Sequence, residues 1–266
     1  MQAVAPSPRM LEARVRSGAS AGMTPSADEV AALLNNDWFC ALPENLRAAI
    51  VGCARVVRVA AGTRISHRGQ IECNWVGVIH GAVRLSATLD DNREFTIGFL
   101  SPGQWFGDIS AANAGGALAD LVAHMASTLA VVNHRAMRQL LETSPEFRDA
   151  LLQLNYRRLG IVFRRLEERH ALTLPQRLAR QVRRLAYQFG RPVGIGVRID
   201  LVVSQNDLAS MIGGSRQRVN RALRQMQQMD ILQLGTQRLL VLDAAKLDAV
   251  ADGVTLLAGA TSTPDD

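Results

Sequence analysis

The sequence predicts an α+β protein with an N-terminal antiparallel β jelly roll, a long helix and a C-terminal winged helix-turn-helix. Three observations carry this prediction. Short β-rich runs separated by glycine occupy residues 56–132. Residues 145–170 carry apolar side chains at alternating spacings of three and four, as in a long helix with one apolar face. Residues 204–226 predict two short helices joined by a glycine pair.

Length and composition allow two domains with buried cores. The chain has 266 residues, of which 48% are hydrophobic. No stretch approaches the roughly 20 consecutive apolar residues of a membrane-spanning helix, so we expect no membrane partner. Residues 1–28 lack the continuous apolar run of a secretory signal and predict a flexible tail.

The three cysteines predict neither a disulfide framework nor a metal site. Cys40, Cys53 and Cys73 are odd in number, and no two of them form a Cys-x-x-Cys pair. We therefore expect a protein of the reducing cytoplasm without a zinc or iron–sulfur centre.

Residues 29–144 predict the β domain. Short helical patterns occupy residues 29–55, and a further helix begins near His134. Between them lie β-rich runs at residues 56–59, 75–79, 82–86, 95–99 and 122–132. Several short strands with glycine and Asp-Asp-Asn turns between them are typical of an antiparallel sandwich or jelly roll.

Residues 145–171 predict a dimerisation helix. A coiled-coil seam would contain Leu152, Asn155, Leu159, Val162 and Leu166. A buried amide at Asn155 would cost stability but fix the register of two paired helices. The alternative is an ordinary helix packed on its own β domain.

Residues 172–245 predict a winged helix. Thr173 and Gln176 have the spacing of a capping box, and Pro175 prevents the preceding helix from continuing as a straight rod, so we expect a hinge here. A helix to Tyr187, a strand over 196–203 and a hairpin over 231–242 would surround the two short helices. Residues 246–266 predict a C-terminal tail.

The two short helices carry signals at both ends. Ser204 and Asp207 predict a capping box on the first helix, and the pair Gly213-Gly214 predicts its end. Ser215 would cap the second helix. The apolar positions of both helices, which should face the core, are Leu208, Met211, Ile212, Val219, Leu223 and Met226.

The opposite face of the second helix predicts contact with double-stranded DNA. Residues 156–240 contain 16 basic and 5 acidic side chains, a net charge of +11, whereas residues 1–155 carry −1. A localised positive charge attracts the phosphate backbone. The alternatives are a helical hairpin with a solvated basic face and an anionic membrane surface. The predicted DNA-contacting residues are Ser204, Gln205, Ser215, Arg216, Gln217, Arg218, Asn220, Arg221 and Arg224.

Over residues 30–245 the chain resembles the CRP/FNR superfamily of bacterial transcription regulators. The likeness rests on residues 81–85, 102–108, 157–159 and, most specifically, 214–221. It implies a β jelly-roll sensor domain and a homodimer that binds a palindromic operator, with RNA polymerase as a partner. It also implies that Arg216, Gln217 and Arg221 contact bases. Gln217 stands where such proteins commonly have glutamate, which should shift the preferred half-site.

The resemblance also implies an effector pocket, which here has lost polar groups. Its candidate residues are Gly107, Asp108, Leu118, Ala119, Val162 and Phe163. Leu118 and Ala119 stand where cyclic-AMP-responsive members have an Arg-Ser pair that holds the phosphate. Val162 and Phe163 offer no hydroxyl to a purine. We therefore expect no binding of cyclic AMP in the usual pose.

The sequence leaves the effector open among three explanations. These are a small apolar or differently charged molecule, a gas sensed through haem, and no ligand at all. No cofactor or metal is predicted. Candidate haem ligands by residue type alone are His67, His80, His124, His134 and His170.

Other classes of function have less support. No Ser/His/Asp order, P-loop, paired-carboxylate pocket or metal-ligand spacing predicts an enzyme. A ligand-sensing module or scaffold with vestigial DNA binding is the alternative to a transcription regulator.

Overall fold

A computed structural model describes residues 23–71, 73–88, 94–108, 116–235 and 238–257. The chain forms two compact units, residues 1–157 and 158–266. Their boundary lies inside the longest helix, whereas the sequence suggested boundaries at the two ends of that helix. We call residues 1–157 the β unit and residues 158–266 the winged unit. The first part of the helix belongs to the β unit, and its last turns belong to the winged unit.

In the described part of the chain, three short helices precede the strands. They are α1 (Ala27–Leu33), α2 (Asp37–Cys40) and α3 (Glu44–Cys53). Ser26 and Glu29 form a capping box at the start of α1. The predicted tail therefore extends too far, because Ala27 and Asp28 already belong to a helix. Residues 1–22 lie outside the described part of the chain.

The β unit consists of two antiparallel sheets. Its strands are β1 (Ala54–Val59), β2 (Arg64–Ser66), β3 (Trp75–His80), β4 (Val83–Thr88), β5 (Glu94–Leu100), β6 (Trp105–Phe106), β7 (Asp120–Ala123) and β8 (Ser127–Val132). One sheet has the order β1-β8-β3-β6 and the other β2-β7-β4-β5. In the first sheet Val56 pairs with Ala130, and Ala130 pairs with Gly77. The predicted α+β fold with an antiparallel β domain is confirmed.

Aromatic side chains fill the core beside the first sheet. The ring centroids of Trp75 and Trp105 lie 4.3 Å apart, and Phe147 meets Trp75 edge-on at 5.5 Å. Nε1 of Trp38 donates a hydrogen bond to the carbonyl oxygen of Ala150 at 2.9 Å. Phe147 and Ala150 lie on the long helix, so this cluster attaches the start of that helix to the β unit.

Two helices follow the last strand of the β unit, α4 (His134–Thr143) and α5 (Pro145–Ala171). The large side chains exposed along α5 include Leu152, Tyr156, Leu159, Phe163 and Leu166, at spacings of four and three. We call these five residues the apolar stripe. They share Leu152, Leu159 and Leu166 with the predicted seam.

Asn155, which the sequence places on the predicted seam, is not part of the apolar stripe and is hydrogen-bonded within its own chain. Its Nδ2 donates hydrogen bonds to Oδ2 of Asp108 at 2.7 Å and to the carbonyl oxygen of Leu151 at 2.9 Å. At 3.6 residues per turn, Asn155 lies on the side of Leu151, which is buried in the β unit. Val162, also predicted on the seam, is exposed and flanks the stripe.

The second unit is a winged helix, as predicted. It contains α6 (Leu174–Phe189), β9 (Gly190–Val193), β10 (Gly196–Ile199), α7 (Gln205–Ile212), α8 (Arg216–Gln228), β11 (Leu232–Leu234), β12 (Leu239–Val241) and α9 (Ala244–Ala251). The sheet has the order β11-β12-β10-β9. Strand β9 was not predicted, and β10 ends four residues earlier than expected. Residues 236 and 237, part of the predicted hairpin turn, lie outside the described residues.

Helix α9 replaces the start of the predicted C-terminal tail. Its Leu247, Val250 and Ala251 are buried, and Nε of Arg180 on α6 donates a hydrogen bond to the carbonyl oxygen of Ala251 at 3.0 Å. The tail prediction was wrong here because an amphipathic helix of only eight residues is a weak signal in the sequence, and its apolar side chains are buried only when α6 packs against them.

Glu168 connects the end of α5 to α6. Its Oε1 accepts hydrogen bonds from Nη1 of Arg180 at 3.3 Å and from Nη2 of Arg184. Burial by itself raises the pKa of Glu168, but the hydrogen bonds and positive charges of the two arginines outweigh it and hold the pKa below its ordinary value. The carboxylate is therefore ionised at neutral pH.

Gly77→Ala should destabilise the β unit by about 1–3 kcal/mol because of overpacking. A Cβ at this position would lie 2.7 Å from Cε2 of Trp105, in the buried aromatic core. Gly52→Ala is the matched control, because its Cβ would meet nothing within 4 Å in helix α3 and should be neutral or stabilising. All three tryptophans, Trp38, Trp75 and Trp105, lie in the β unit. Urea unfolding followed by tryptophan fluorescence therefore reports selectively on the stability of this unit. Equal midpoints for the two variants would contradict this account.

Glu168→Gln should destabilise the winged unit by about 1.5 kcal/mol at neutral pH, the scale of one hydrogen bond to a charged group. Because the folded-state pKa is depressed, the contribution of Glu168 is present above its ordinary value of 4.5 and is lost as the pH falls through the folded-state pKa. The difference in stability between wild type and variant should therefore shrink below about pH 4.5. Hydrogen exchange of the α6 amides measures this difference in stability. Glu167→Gln is the control, because Glu167 is exposed on α5. If the stability difference between wild type and Glu168→Gln did not change with pH, the stabilising role of the ionised Glu168 would be refuted.

Candidate nucleic-acid interface

Helix α7 begins and ends as the sequence predicts. Oγ of Ser204 accepts a hydrogen bond from the amide of Asp207 at 3.0 Å, and Oδ2 of Asp207 accepts one from the amide of Ser204 at 3.0 Å. Gly213 ends the helix with φ +67° and ψ 54°, a left-handed conformation that glycine adopts without strain. This turn sets the direction in which the next helix leaves.

Helix α8 has one buried and one exposed face. Oγ of Ser215 accepts a hydrogen bond from the amide of Arg218 at 3.3 Å and so caps the helix. Val219, Leu223 and Met226 are buried, as predicted. Because these three side chains hold one face of α8 in the core, the arginine-bearing face must point to solvent.

The exposed face of α8 is rich in hydrogen-bond donors. Arg216, Gln217, Arg218, Arg221 and Arg224 are all exposed. An open groove of about 390 Å³ runs along the helix and is lined by Gln217, Asn220, Arg221, Arg224, Gln225 and Gln228. Within the described part of the chain, no carboxylate forms an ion pair with Arg216, Arg221 or Arg224. Their guanidinium groups are therefore available to phosphate oxygens and guanine edges.

Gln205 orients Asn220 across the two helices. Nε2 of Gln205 donates a hydrogen bond to Oδ1 of Asn220 at 3.3 Å. This contact occupies the amide oxygen of Asn220 and leaves its Nδ2 as the outward donor, which suits an acceptor on a base or a phosphate. Sequence reasoning included both residues in the candidate site but missed the contact, because they are 15 positions apart.

The serines predicted to contact DNA both have a structural role. The hydroxyl of Ser204 also donates to Oδ2 of Asp207 at 2.6 Å, so it both donates and accepts within the capping box. The hydroxyl of Ser215 accepts a hydrogen bond from the amide of Arg218 and can still donate its own proton at the start of α8. Of the two, Ser215 is therefore the better placed for a phosphate oxygen.

The candidate effector residues do not form one site within either unit. Asp108 is buried and bonded to Asn155, and Ala119 is buried, but the side chain of Leu118 is 56% exposed. Val162 and Phe163 belong to the second unit, and both are exposed. Residues 109–115 lie outside the described residues. The link between Asp108 and Asn155 joins positions 47 apart, and no local signal could have predicted it.

The histidines considered as haem ligands belong to different elements of the fold. The ring of His124 meets Phe99 edge-on with centroids 4.7 Å apart, and His134 opens α4. His67 lies beside the carbonyl oxygen of Arg68. The described residues contain no group of three or more His, Cys, Asp or Glu side chains that could hold a metal ion.

Two family models match this arrangement. The model of the cyclic nucleotide-binding domain matches residues 56–144, and that of the Crp-like helix-turn-helix domain matches residues 176–250. Together they cover more than half of the chain.

The chain belongs to the CRP/FNR superfamily. It is a transcription regulator with a helix-turn-helix DNA-binding domain. Within the described part of the chain, we find no helix with the length and hydropathy of a membrane span.

Curated relatives and solved structures agree with this assignment. The CRP-like cAMP-activated global transcriptional regulator of Mycobacterium tuberculosis is 26% identical over 170 residues, which are 64% of this chain and 76% of the relative. The fold matches the CRP/FNR regulator TTHA1359 of Thermus thermophilus (TM-score 0.63, 21% identity, 74% of this chain and 98% of the other). It also matches the c-di-GMP responsive regulator CLP of Xanthomonas campestris (TM-score 0.64, 21% identity, 76% and 100%).

Proposed function

We propose that this CRP/FNR regulator binds a palindromic DNA operator as a homodimer and does not respond to cyclic AMP in the usual binding mode. The observation that carries the proposal is the exposed, donor-rich face of α8, which the buried opposite face holds outward. The N-terminal turn of α8 enters the major groove in this proposal, where Arg216, Gln217 and Arg221 contact base edges. Arg224 contacts phosphate.

The apolar stripe on α5 supports the homodimer. Its side chains are between 51% and 77% exposed in the single chain, and they repeat at the heptad spacing of a coiled coil. Such a contiguous row of large apolar residues is rare on the surface of a monomer. A second copy of α5, related by a two-fold axis, would cover it and would bring two α8 helices to the two half-sites.

The contacts of Asp108 support a response to something other than cyclic AMP. Its Oδ2 accepts a hydrogen bond from Asn155, so this oxygen is already engaged within the chain. Leu118 and Ala119 have no guanidinium or hydroxyl for a cyclic phosphate. We predict no tightly bound cofactor. Haem and an unidentified small effector are the alternatives, and RNA polymerase is the proposed protein partner.

Arg216→Ala should remove about 1–3 kcal/mol of discrimination at one base position, because a side chain that contacts a base distinguishes sequences. Arg224→Ala should instead weaken binding to all sequences to a similar extent. The measurement is a gel shift at several salt concentrations on an operator obtained by selection from random DNA. Arg183→Ala is the control, because Arg183 is exposed on α6 and paired with Asp248. Equal losses on operator and random DNA for Arg216→Ala would contradict base contact.

Leu159→Glu should raise the dissociation constant of the dimer at least about a hundredfold, because the two-fold axis places two charges in the apolar seam. Sedimentation velocity on the full-length protein measures the change. Ile161→Glu is the matched control, since Ile161 is also exposed and apolar but lies on the other side of α5. Wild-type protein that sediments as a monomer, or equal dissociation of the two variants, would count against the stripe as the dimer interface.

A further inference from the structure

The start of α7 touches the middle of α8 through a pair of side-chain amides. Nε2 of Gln205, the first residue of α7, donates a hydrogen bond to Oδ1 of Asn220, and the two atoms lie 3.3 Å apart. Both side chains are half-buried. In the described part of the chain, neither amide group forms a second side-chain hydrogen bond, so this contact sets how the two amides face each other.

The backbone is fixed on both sides of this contact. Ser204 and Asp207 form the capping box that starts α7. Val219, which precedes Asn220 on α8, is fully buried. Because capping holds one helix and packing holds the other, Gln205 and Asn220 stay within reach of each other.

Asn220 lies within the donor-rich face of α8. It lines the open groove along this helix together with Gln217, Arg221 and Arg224. Gln217 precedes Asn220 by three positions and Arg224 follows it by four, so the three side chains are neighbours on the helix surface. A duplex that lies against Gln217 and Arg224 therefore also meets Asn220.

The direction of the amide contact decides which hydrogen-bonding group Asn220 offers to DNA. An asparagine whose amide is free pairs with adenine in bidentate geometry, because its oxygen accepts from N6 and its nitrogen donates to N7. In this chain Oδ1 of Asn220 is turned toward Gln205, so the outward group is the Nδ2 donor. In the major groove guanine presents two acceptors, adenine and thymine present one each, and cytosine presents only a donor.

We propose that Asn220 reads a guanine through Nδ2 and that Gln205 is the positioning residue that gives Asn220 this preference. The inference rests on the proposed binding of operator DNA by α8 and adds one base position to it. Gln205, which the sequence predicts as a DNA-contacting residue, acts here through Asn220 by holding Oδ1 away from the base. The pair therefore excludes the adenine contact that an unrestrained asparagine makes.

Two substitutions of Gln205 test the direction of the contact. Gln205→Lys introduces an ammonium group, which only donates, so Oδ1 of Asn220 should stay engaged and the guanine preference should be kept. Gln205→Glu introduces a carboxylate, which only accepts, so it should bind Nδ2 of Asn220 and turn Oδ1 toward the DNA. The preferred base should then change from guanine to cytosine or adenine, which offer amino donors.

The measurement uses the full-length protein and the operator that the wild type selects from random DNA. Each of the four bases is placed in turn, in both half-sites, at the position where Asn220→Ala removes the wild-type preference. Dissociation constants are measured by fluorescence anisotropy at one salt concentration. Wild type should favour guanine over cytosine by at least about fivefold and Asn220→Ala by less than about twofold, a difference on the scale of one hydrogen bond.

Asn206→Lys and Asn206→Glu are the matched charge controls, because Asn206 is the next residue of α7 and its side chain is exposed. Each should change the affinity for all four duplexes by a similar factor, since the added charge acts on the phosphate backbone, and should leave the preferred base unchanged. Thermal unfolding by circular dichroism verifies that each variant is folded.

Three results would overturn the proposal. Equal weakening of all four duplexes by Asn220→Ala would assign Asn220 to a DNA phosphate. A wild-type preference for adenine at this position would mean that Oδ1 is free to reach the base. An unchanged guanine preference in folded Gln205→Glu would mean that Gln205 does not orient Asn220.

Failure of this inference is distinguishable from failure of the proposed function. If the wild type selects no operator, the proposed function and this inference both fail. If the wild type selects an operator whose base preference depends on Arg216 but not on Asn220, only this inference fails.

Discussion

The burial of one face of α8 is the constraint on which the functional surface depends. Val219, Leu223 and Met226 lie in the core of the winged unit, and the glycine turn at Gly213 fixes where the helix starts. A helix presents its opposite face rigidly only when the first face is held by packing. The five exposed donors of α8 therefore form an ordered surface.

Helix α5 is constrained in the same way, with a different partner along each part. Phe147 and Leu151 bury its first turns in the β unit, and Glu168 ties its last turns to α6 through two arginines. Between these two attachments the apolar stripe stays exposed. Asn155, which the spacing of three and four places on the predicted seam, donates a hydrogen bond to the carboxylate of Asp108.

The accuracy of the sequence predictions depended on how local the physical signal was. The capping boxes of α6 and α7, the end of α7 at Gly213 and the buried positions of α8 were all predicted, because each depends on residues within one or two turns. Helix α9 was missed because it is short and packs on α6, which is distant in the sequence. Strand β9 was missed because it has only four residues and includes Pro192, although its partner β10 follows it directly.

The sequence by itself determined the class of the fold, the two faces of α8 and the concentration of positive charge in the winged unit. These follow from periodicity and composition, which the sequence contains directly. Only the tertiary structure decided which side of α5 stays exposed, which side chain engages Asp108 and which arginines share Glu168. Such contacts join residues far apart in the chain, and their geometry exists only after the elements have packed.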